Sequence, residues 1–281
     1  MPRVEEAVAW GAERLFHANI PAEKMTASLL LAHVLGVERT HIIAHDEREL
    51  TDDEIIAYKA AIERRAEGTP FQYITGRQEF YGREFLVTPD VLIPRPDTEV
   101  LVEGAMDLWK RFESRDGRSV VDLGTGSGAI AITLSKELPG ARVIGTDVSG
   151  TALGIAKRNA ERLDADVDFV VADLFEPFAG PFSIVATNLP YIPETVIEGL
   201  QTEVRDYEPR VALVGGPDGL DIYRRFFDDL PRVLARDGFV LCECGFTQAD
   251  ALERVAAERG FRCVDRLDDL QGIPRTIVFG F

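Results

Sequence analysis

From about residue 94 onward, short apolar segments alternate with stretches of helical periodicity, and this alternation constrains the fold of the 281-residue chain most strongly. Strands are predicted over residues 119–123, 141–146, 167–171, 182–187 and 239–244, with helices over 129–137 and 150–163. Such alternation is typical of an α/β fold with a doubly wound, mostly parallel sheet. Ligands bind these sheets at the carboxyl ends of the strands, so we expect functional residues in the loops that follow them.

The first part of the chain follows a different pattern. Apolar residues recur at three- and four-residue spacing over residues 4–16, 22–35 and 52–66, which predicts helices. Residues 80–94 then alternate like the two arms of a β-hairpin around Thr88, Pro89 and Asp90. We predict a small all-helical domain over residues 1–75, a β-hairpin linker over 76–96 and the α/β domain over 97–281.

The composition argues against several classes of function. With 48 acidic and 31 basic residues the formal net charge is −17, and a surface this acidic repels a phosphate backbone. No apolar run has the length of a membrane span, and all four histidines lie in the first 45 residues. We therefore expect a cytoplasmic protein with no direct nucleic-acid or membrane contact, no metal site and no histidine base in its larger domain.

A glycine-rich loop joins the strand 119–123 to the helix after it. Glycines at 124, 126 and 128 let the backbone approach a ligand closely, while the helix N-terminus offers free N–H groups. Asp147 ends the next strand, where its carboxylate is placed to bond ribose hydroxyls. This pattern indicates a nucleotide-like cofactor, and NAD and S-adenosylmethionine both fit it.

Further residues at the same sheet edge favour S-adenosylmethionine. Asp122 lies just before the glycine loop, where a carboxylate could face a cationic sulfonium but would sit awkwardly beside a pyrophosphate. Asp173 and Leu174 follow the third strand and offer a carboxylate and an apolar contact for an adenosyl group. The alternative interpretation is that Asp122 and Asp173 merely cap the ends of their strands.

Asn188, Leu189, Pro190 and Tyr191 follow the fourth strand of the predicted sheet. An amide or aromatic amine is a weak nucleophile, so a site that methylates it needs hydrogen-bond acceptors and alignment rather than a base. The Asn188 side-chain oxygen and the Leu189 carbonyl are candidate acceptors, Tyr191 offers a ring for stacking, and Pro190 restricts the backbone. We predict Asn188, Pro190 and Tyr191 as the catalytic residues; an ordinary turn with an aromatic anchor is the alternative.

Several stretches together resemble the release factor glutamine methyltransferases, and the resemblance covers nearly the whole chain. They are residues 70–76, 80–85, 92–99, 122–130, 187–192 and 208–213, of which the segment Pro-Arg-Pro-Asp-Thr-Glu at 94–99 is the most restricted to this family. The resemblance implies a helical domain that helps dock the protein substrate, a hairpin linker and a Rossmann-like class I methyltransferase domain. It implies methyl transfer from S-adenosylmethionine to the side-chain amide nitrogen of the glutamine in the Gly-Gly-Gln motif of peptide chain release factors.

The resemblance also implies roles by position. Cofactor binding falls to Gly124, Thr125, Gly126, Ser127, Gly128, Asp147, Leu174 and Asn188, with Asp173 added from its place after the third strand. The substrate amide is held by Asn188, Leu189, Pro190 and Tyr191, beside a wall shaped by Pro94, Arg95 and Asp97. S-adenosylhomocysteine is the expected product, and we expect a monomer.

Two positions depart from the family pattern. Residue 189 is Leu where the family usually has Pro, and Asn-Leu-Pro-Tyr is the form familiar from rRNA adenine dimethyltransferases. Residue 174 is Leu where some relatives have an aromatic residue. The alternatives left open are an amino-methyltransferase of adenine or cytosine in nucleic acid, a methyltransferase of a ribosomal-protein glutamine, an NAD-dependent oxidoreductase, and a helical binding module.

Overall fold

The computed structural model describes residues 1–114 and 117–281, which fall into two compact units. Residues 1–77 together with 201–207 form the helical unit, and residues 78–200 with 208–281 form the α/β unit. Within the described part of the chain, no helix is both long and apolar enough to cross a membrane.

The helical unit confirms the three helices predicted from periodicity. They run over Val4–His17, Glu23–Leu35 and Asp52–Ala66, and shorter helices lie at Arg39–Ala44, Phe71–Thr75 and Thr202–Arg205. Thr51 caps the third of them: its hydroxyl accepts the Glu54 N–H at 3.3 Å, and the Glu54 carboxylate accepts the Thr51 N–H at 2.8 Å. This reciprocal pair satisfies two backbone donors that the helix itself cannot bond.

Residues 201–207 belong to the helical unit although they are distant from it in sequence. The Arg65 guanidinium, which is almost wholly buried, donates to Glu203 at 2.7 Å. The Tyr207 hydroxyl donates to the Glu67 carbonyl at 3.0 Å. Arg65 and Glu203 are thus a partly buried ion pair, in which the loss of either partner leaves the other charge uncompensated.

The α/β unit is built on a seven-stranded sheet. Numbered after the two strands of the β-hairpin described below, its strands are β3 (Ser119–Leu123), β4 (Arg142–Asp147), β5 (Asp168–Val171), β6 (Phe182–Thr187), β7 (Leu234–Glu243), β8 (Arg262–Asp268) and β9 (Pro274–Gly280). Their order across the sheet is β5-β4-β3-β6-β7-β9-β8. β5, β4, β3, β6 and β7 are parallel, whereas β9 pairs antiparallel with both β7 and β8. The predicted α/β fold with a mostly parallel sheet is confirmed, and β8 and β9 are an antiparallel addition that periodicity did not reveal.

Helices cover both faces of this sheet. They run over Glu99–Trp109, Ala129–Glu137, Gly150–Arg162, Asp221–Val233 and Ala249–Ala257. All six residues of β6 are buried, as expected for a central strand covered on both sides. The strand order reverses between β3 and β6, and the crevice at that point is where doubly wound sheets bind their ligands.

The β-hairpin exists, but its predicted turn was wrong. β1 (Arg77–Phe80) and β2 (Arg83–Leu86) are joined by Tyr81 and Gly82, whose φ angles are +51° and +70°, and not by Thr88, Pro89 and Asp90. Positive φ at both central residues matches the twist of the two strands, and glycine adopts it without strain. The last residue of β2 bonds to a helix: the Asn159 side chain accepts the Leu86 N–H at 2.7 Å and donates to the Leu86 carbonyl at 3.0 Å.

Candidate functional site

A cleft of about 260 Å³ lies at the carboxyl ends of the parallel strands, where the strand order reverses. The predicted residues that line it are Gly124, Gly126, Asp147, Asp173, Leu174, Asn188, Leu189 and Pro190. An adjoining cavity of about 50 Å³ is lined by Pro94, Arg95, Thr125 and Ser127 and shares Gly124, Gly126 and Asn188 with the cleft. The structure therefore brings most of the residues predicted for cofactor and substrate together, while Gly128, Asp97 and Tyr191 line neither of the two cavities.

The glycine loop follows β3. Its three glycines share positive φ angles but differ in the space that an added Cβ atom would have. Gly124, Gly126 and Gly128 have φ angles of +72°, +54° and +84°, a region that residues with a Cβ atom rarely adopt. A Cβ atom at Gly126 would meet nothing within 4 Å, because this glycine faces the cleft. At Gly128 a Cβ atom would lie 2.8 Å from Ile132 Cδ1 and 3.2 Å from Ala156 Cβ, so both neighbours would have to shift to admit it.

Asp147 lies at the end of β4 beside this loop. Its Oδ2 accepts the Gly126 N–H at 3.0 Å, and its Oδ1 accepts the Ser149 N–H at 2.9 Å. Burial raises the pKa of Asp147, while these backbone bonds act in the opposite direction. Each carboxylate oxygen can accept a second hydrogen bond. The residues present thus fit a cofactor with a ribose, whose two hydroxyls would find acceptors here.

Asp122 holds the loop from beneath and does not face the cleft. The residue is fully buried, and its Oδ2 accepts from the Thr125 hydroxyl at 2.6 Å and from the Ala131 N–H at 3.0 Å. Burial raises the pKa of Asp122 to about 7. The idea that this carboxylate meets the sulfonium directly is therefore wrong, because the strand buries it; the strand-end alternative describes it better.

Asp173 and Leu174 form the wall of the cleft after β5. The Asp173 carboxylate pairs with Arg225 at 2.6 Å, and Arg225 itself lines the cleft, a contact that sequence reasoning missed. Leu174 is buried with a φ of +51°, an uncommon conformation for a branched side chain. Strained backbone of this kind persists where the surroundings hold it and is concentrated at binding sites.

The loop Asn188–Tyr191 follows β6, and hydrogen bonds to backbone carbonyls hold it at both ends. Thr187, at the end of β6, donates its hydroxyl to the Leu123 carbonyl at 2.9 Å. The Tyr191 carbonyl accepts from the Gln248 side chain at 2.8 Å, and the Ile192 N–H donates to the Leu213 carbonyl at 2.9 Å. These bonds anchor both ends of the loop, as a site that works by positioning requires.

A buried carboxylate connects the side chains of this loop. Glu243 ends β7, and its Oε2 accepts from the Thr98 hydroxyl at 2.6 Å while its Oε1 accepts from the Tyr191 hydroxyl at 3.2 Å. The Thr98 oxygen in turn accepts from Asn188 Nδ2 at 3.3 Å. Burial raises the pKa of Glu243 to about 7 and raises that of Tyr191 as well. We call Glu243, Thr98, Asn188 and Tyr191 the Glu243 network.

The segment 94–99 supports the walls through ion pairs. The Arg95 guanidinium donates to Glu208 at 2.6 Å, and the Glu208 side chain is almost wholly buried. Burial raises the pKa of Glu208, and the positive charge of Arg95 opposes that effect. Asp97 lies 3.5 Å from Arg275. Sequence reasoning missed Thr98 and Glu243, although Thr98 lies within the quoted segment and Glu243 is the one charged residue in the apolar run 239–244.

These residues can orient a planar polar group but offer little acid–base chemistry. The described residues hold no group of three or more His, Cys, Asp or Glu side chains that could bind a metal ion. Asn188 and Leu189, which carry the two predicted acceptors, line the same cleft as Gly124 and Gly126. Such an arrangement suits transfer of a group from a nucleotide-like cofactor to an N–H-bearing acceptor.

Comparisons with known proteins agree with this geometry. The family model of the PrmC N-terminal domain matches residues 6–76, and that of the methyltransferase small domain matches residues 99–201. The release factor glutamine methyltransferase of Bacillus subtilis is 42% identical over 99% of this chain and 97% of its own length. The enzyme of the same name from Koribacter versatilis is 43% identical, covering 93% and 92%.

Solved structures share the fold at low sequence identity. The catalytic domain of hMettl16 matches with a TM-score of 0.56 at 16% identity, over 82% of this chain and 82% of that one. A methyltransferase from Pyrococcus furiosus matches with a TM-score of 0.52 at 17% identity, over 72% of this chain and 91% of that one. These likenesses establish the methyltransferase fold of the α/β unit.

Proposed function

Because the chain belongs to the release factor glutamine methyltransferases, we propose that it methylates the glutamine of the Gly-Gly-Gln motif in peptide chain release factors. The methyl group comes from S-adenosylmethionine and goes to the side-chain amide nitrogen. One observation carries the proposal: Gly124 and Gly126 of the glycine loop line the same cleft as Asn188, Leu189 and Pro190, and a Cβ atom placed on Gly124 would lie 3.8 Å from the Asn188 carbonyl oxygen. A cofactor on the first loop and an amide on the second would therefore meet.

The glycine loop and the ends of β4 and β5 are proposed to hold the cofactor. Gly126 leaves space in the cleft, Asp147 has acceptor capacity for ribose hydroxyls, and Leu174 offers an apolar wall to the adenine. Thr125, Ser127 and Gly128 hold the shape of the loop. When bound, S-adenosylmethionine supplies a methyl group on a positively charged sulfur.

The Asn188–Tyr191 loop is proposed to hold the substrate amide. Its nitrogen lone pair is delocalised into the carbonyl, so the reaction gains from any group that favours a tetrahedral, positively charged nitrogen. Asn188 Oδ1 and the Leu189 carbonyl accept the two N–H bonds of the amide, and the Tyr191 ring stacks on its plane. Orientation of this kind can lower a barrier by about 7–11 kcal/mol. The product nitrogen then loses one proton to water.

Leu189 in place of the usual proline is compatible with this role. The acceptor is a backbone carbonyl, which every residue supplies, and Pro190 still favours an extended conformation at residue 189. The Leu189 side chain is 5% exposed, and its Cδ2 would lie 3.6 Å from a Cβ atom on Gly124. Packing thus takes over part of the restriction that a proline ring would impose.

The cavity beside Asn188 is proposed to receive the rest of the glutamine side chain. Pro94 and Arg95 line it, and Arg95 is held in place by the buried Glu208. Asp97 acts further back through its contact with Arg275. The acidic character of the chain, with a net charge of −17, favours a basic protein surface over nucleic acid as the partner.

One labelling experiment tests the proposed substrate. The protein is incubated with methyl-labelled S-adenosylmethionine and either purified release factor or total RNA, and the label is then located. We expect label on the release factor and none on RNA, and a release factor with Gln→Ala in its Gly-Gly-Gln motif should stay unlabelled. Label on RNA with an unlabelled release factor would overturn the proposal.

We propose in addition that the protein acts as a monomer in the cytoplasm, where release factors work, and that the helical unit helps to dock them. A single α/β unit supplies every residue assigned above to cofactor and substrate. Light scattering should return the mass of one chain. A stable dimer that dissociates together with loss of activity would contradict this.

A further inference from the structure

The Glu243 network bears on the orientation of the Asn188 side-chain amide, which packing alone does not determine. The oxygen and nitrogen ends of an asparagine side chain have nearly the same size and shape, so only hydrogen bonds decide which end faces which way. For the proposed reaction the difference matters, because Asn188 must accept a hydrogen bond from the substrate amide. With its amide reversed, Asn188 would place an N–H donor against the substrate's own N–H.

The protons of the network have one arrangement when Glu243 is ionised. A carboxylate has no proton to give, so the 2.6 Å contact between Glu243 Oε2 and Thr98 Oγ1 uses the single proton of the Thr98 hydroxyl. Thr98 Oγ1 is then an acceptor for Asn188, 3.3 Å away. Asn188 must present Nδ2 to it, which leaves Oδ1 as the free end. The hydrogen bond that the structure shows for the Asn188 side chain is this one, from Nδ2 to Thr98 Oγ1.

We propose that ionised Glu243 is a positioning residue for methyl transfer: through Thr98 it orients the Asn188 amide with its oxygen toward the substrate, and through the Tyr191 hydroxyl it holds the ring. The inference rests on the proposed function, since only an N–H-bearing acceptor needs that orientation. Glu243 and Thr98 are 2% and 4% exposed, so water does not compete for these bonds. Glu243 takes no proton from the substrate, because it is buried and its two oxygens already accept from the Thr98 and Tyr191 hydroxyls.

Glu243→Gln tests the role of the charge with little change in shape. A glutamine can donate from its amide nitrogen to Thr98, which frees the Thr98 proton for Asn188 and favours the reversed amide. We expect kcat to fall on the order of tenfold to a hundredfold, while the affinity for S-adenosylmethionine changes little and the Tm does not fall, because burial does not disfavour a neutral glutamine. A loss of kcat that merely follows a loss of Tm or of cofactor affinity would indicate a structural role and overturn the proposal.

Thr98 variants test the middle of the network. Thr98→Val removes the hydroxyl at nearly constant shape and should also lower kcat, whereas Thr98→Ser should recover most of that loss. Thr133→Val is the matched control: Thr133 is fully buried in the helix Ala129–Glu137, and its hydroxyl has no partner among the described residues. We expect Thr133→Val to keep the wild-type kcat, and equal losses in Thr98→Val and Thr133→Val would contradict the proposal.

Nuclear magnetic resonance reads the amide orientation without any turnover. In full-length protein with ¹⁵N-labelled asparagine and methyl-labelled threonine, the Asn188 side-chain protons should show a nuclear Overhauser effect to the Thr98 methyl group. Glu243→Gln should weaken it, and an unchanged effect would refute the proposal. If the wild-type protein transfers no methyl to a release factor, the proposed function fails, while this experiment still decides whether Glu243 orients Asn188.

Discussion

Gly128 offers a quantitative test of why the glycine loop has its shape. Gly128→Ala forces a Cβ atom onto a residue with a φ of +84° and places it 2.8 Å from Ile132 Cδ1 and 3.2 Å from Ala156 Cβ. The left-handed conformation costs about 1–2 kcal/mol, and overpacking adds about 1–3 kcal/mol. We expect a loss of about 2–5 kcal/mol in the free energy of unfolding, which is a large part of a typical total of about 5–15 kcal/mol.

Two further alanine variants make this result interpretable. Gly126→Ala also lies at positive φ but projects into the open cleft, so it should cost only about 1–2 kcal/mol of stability while weakening S-adenosylmethionine binding. Gly154→Ala is the matched control: Gly154 is exposed in the helix Gly150–Arg162 and nothing lies within 4 Å of an added Cβ atom. It should stabilise the protein by about 0.5–1 kcal/mol.

Urea unfolding without cofactor gives the three free energies, and calorimetric titration gives the three cofactor affinities. The predicted order of stability is Gly154→Ala, then Gly126→Ala, then Gly128→Ala, with the largest affinity loss relative to stability in Gly126→Ala. If Gly128→Ala proved as stable as Gly126→Ala, the packing argument would fail. If Gly126→Ala bound the cofactor like the wild type, the loop would not be its binding site.

Three other predictions follow from charged groups. Burial raises the pKa of Glu243 from 4.5 to about 7 in the folded protein, where the groups that face it are Thr98, Tyr191, Asp97 and Arg275. The contribution of Glu243 to the free energy of unfolding is therefore full below about pH 4.5 and is lost as the pH rises through 7, by about 3 kcal/mol in total. Urea unfolding at pH 5 and pH 8 should show a smaller loss of stability in Glu243→Gln than in the wild type, and equal slopes would contradict this assignment. Asp147→Asn, which keeps the side-chain shape but removes one anionic acceptor, should weaken S-adenosylmethionine binding about tenfold or more, and titration that finds unchanged affinity would remove Asp147 from the site. Since the chain carries a net charge of −17, kcat/KM for a release factor should fall as salt rises, because screening weakens attraction to a basic surface; kinetics independent of ionic strength would count against that attraction.

Apolar periodicity in the sequence predicted the helices and strands whose ends are marked by neighbouring residues in the chain. The helix Ala129–Glu137 and the strands Ser119–Leu123 and Phe182–Thr187 begin and end at the predicted residues, because each has a clear apolar period and a glycine, proline or asparagine at its end. The strands β8 and β9 were not predicted. Every residue of β8 is at least partly exposed and the strand has no apolar alternation, whereas β9 is mostly buried and its apolar residues were overlooked. The hairpin turn was misplaced because Pro89 is a strong local signal, whereas the turn depends on the conformation of Tyr81 and Gly82.

The site residues also fall into two groups: those that the sequence predicts and those that only tertiary packing reveals. The glycine loop, Asp147 and Asn188 could be found from their places after strands, because parallel strands bring their carboxyl ends to one edge. Thr98 and Glu243 could not, since Thr98 is 90 residues from Asn188 and 145 residues from Glu243 in the chain, and only tertiary packing brings them together. Residues 201–207 are a similar case, held to the helical unit by a contact between Arg65 and Glu203.

The central claim is that Asn188 acts on the acceptor amide and not on the cofactor or the fold. The most direct test is Asn188→Ala, measured by single-turnover methyl transfer to a release factor, by the affinity for S-adenosylmethionine and by the Tm. We predict a loss of transfer on the order of a hundredfold or more, with cofactor affinity within several-fold of the wild type and little change in Tm. A lowered Tm with transfer close to the wild-type rate would contradict the account, because Asn188 would then be a structural residue of an ordinary turn.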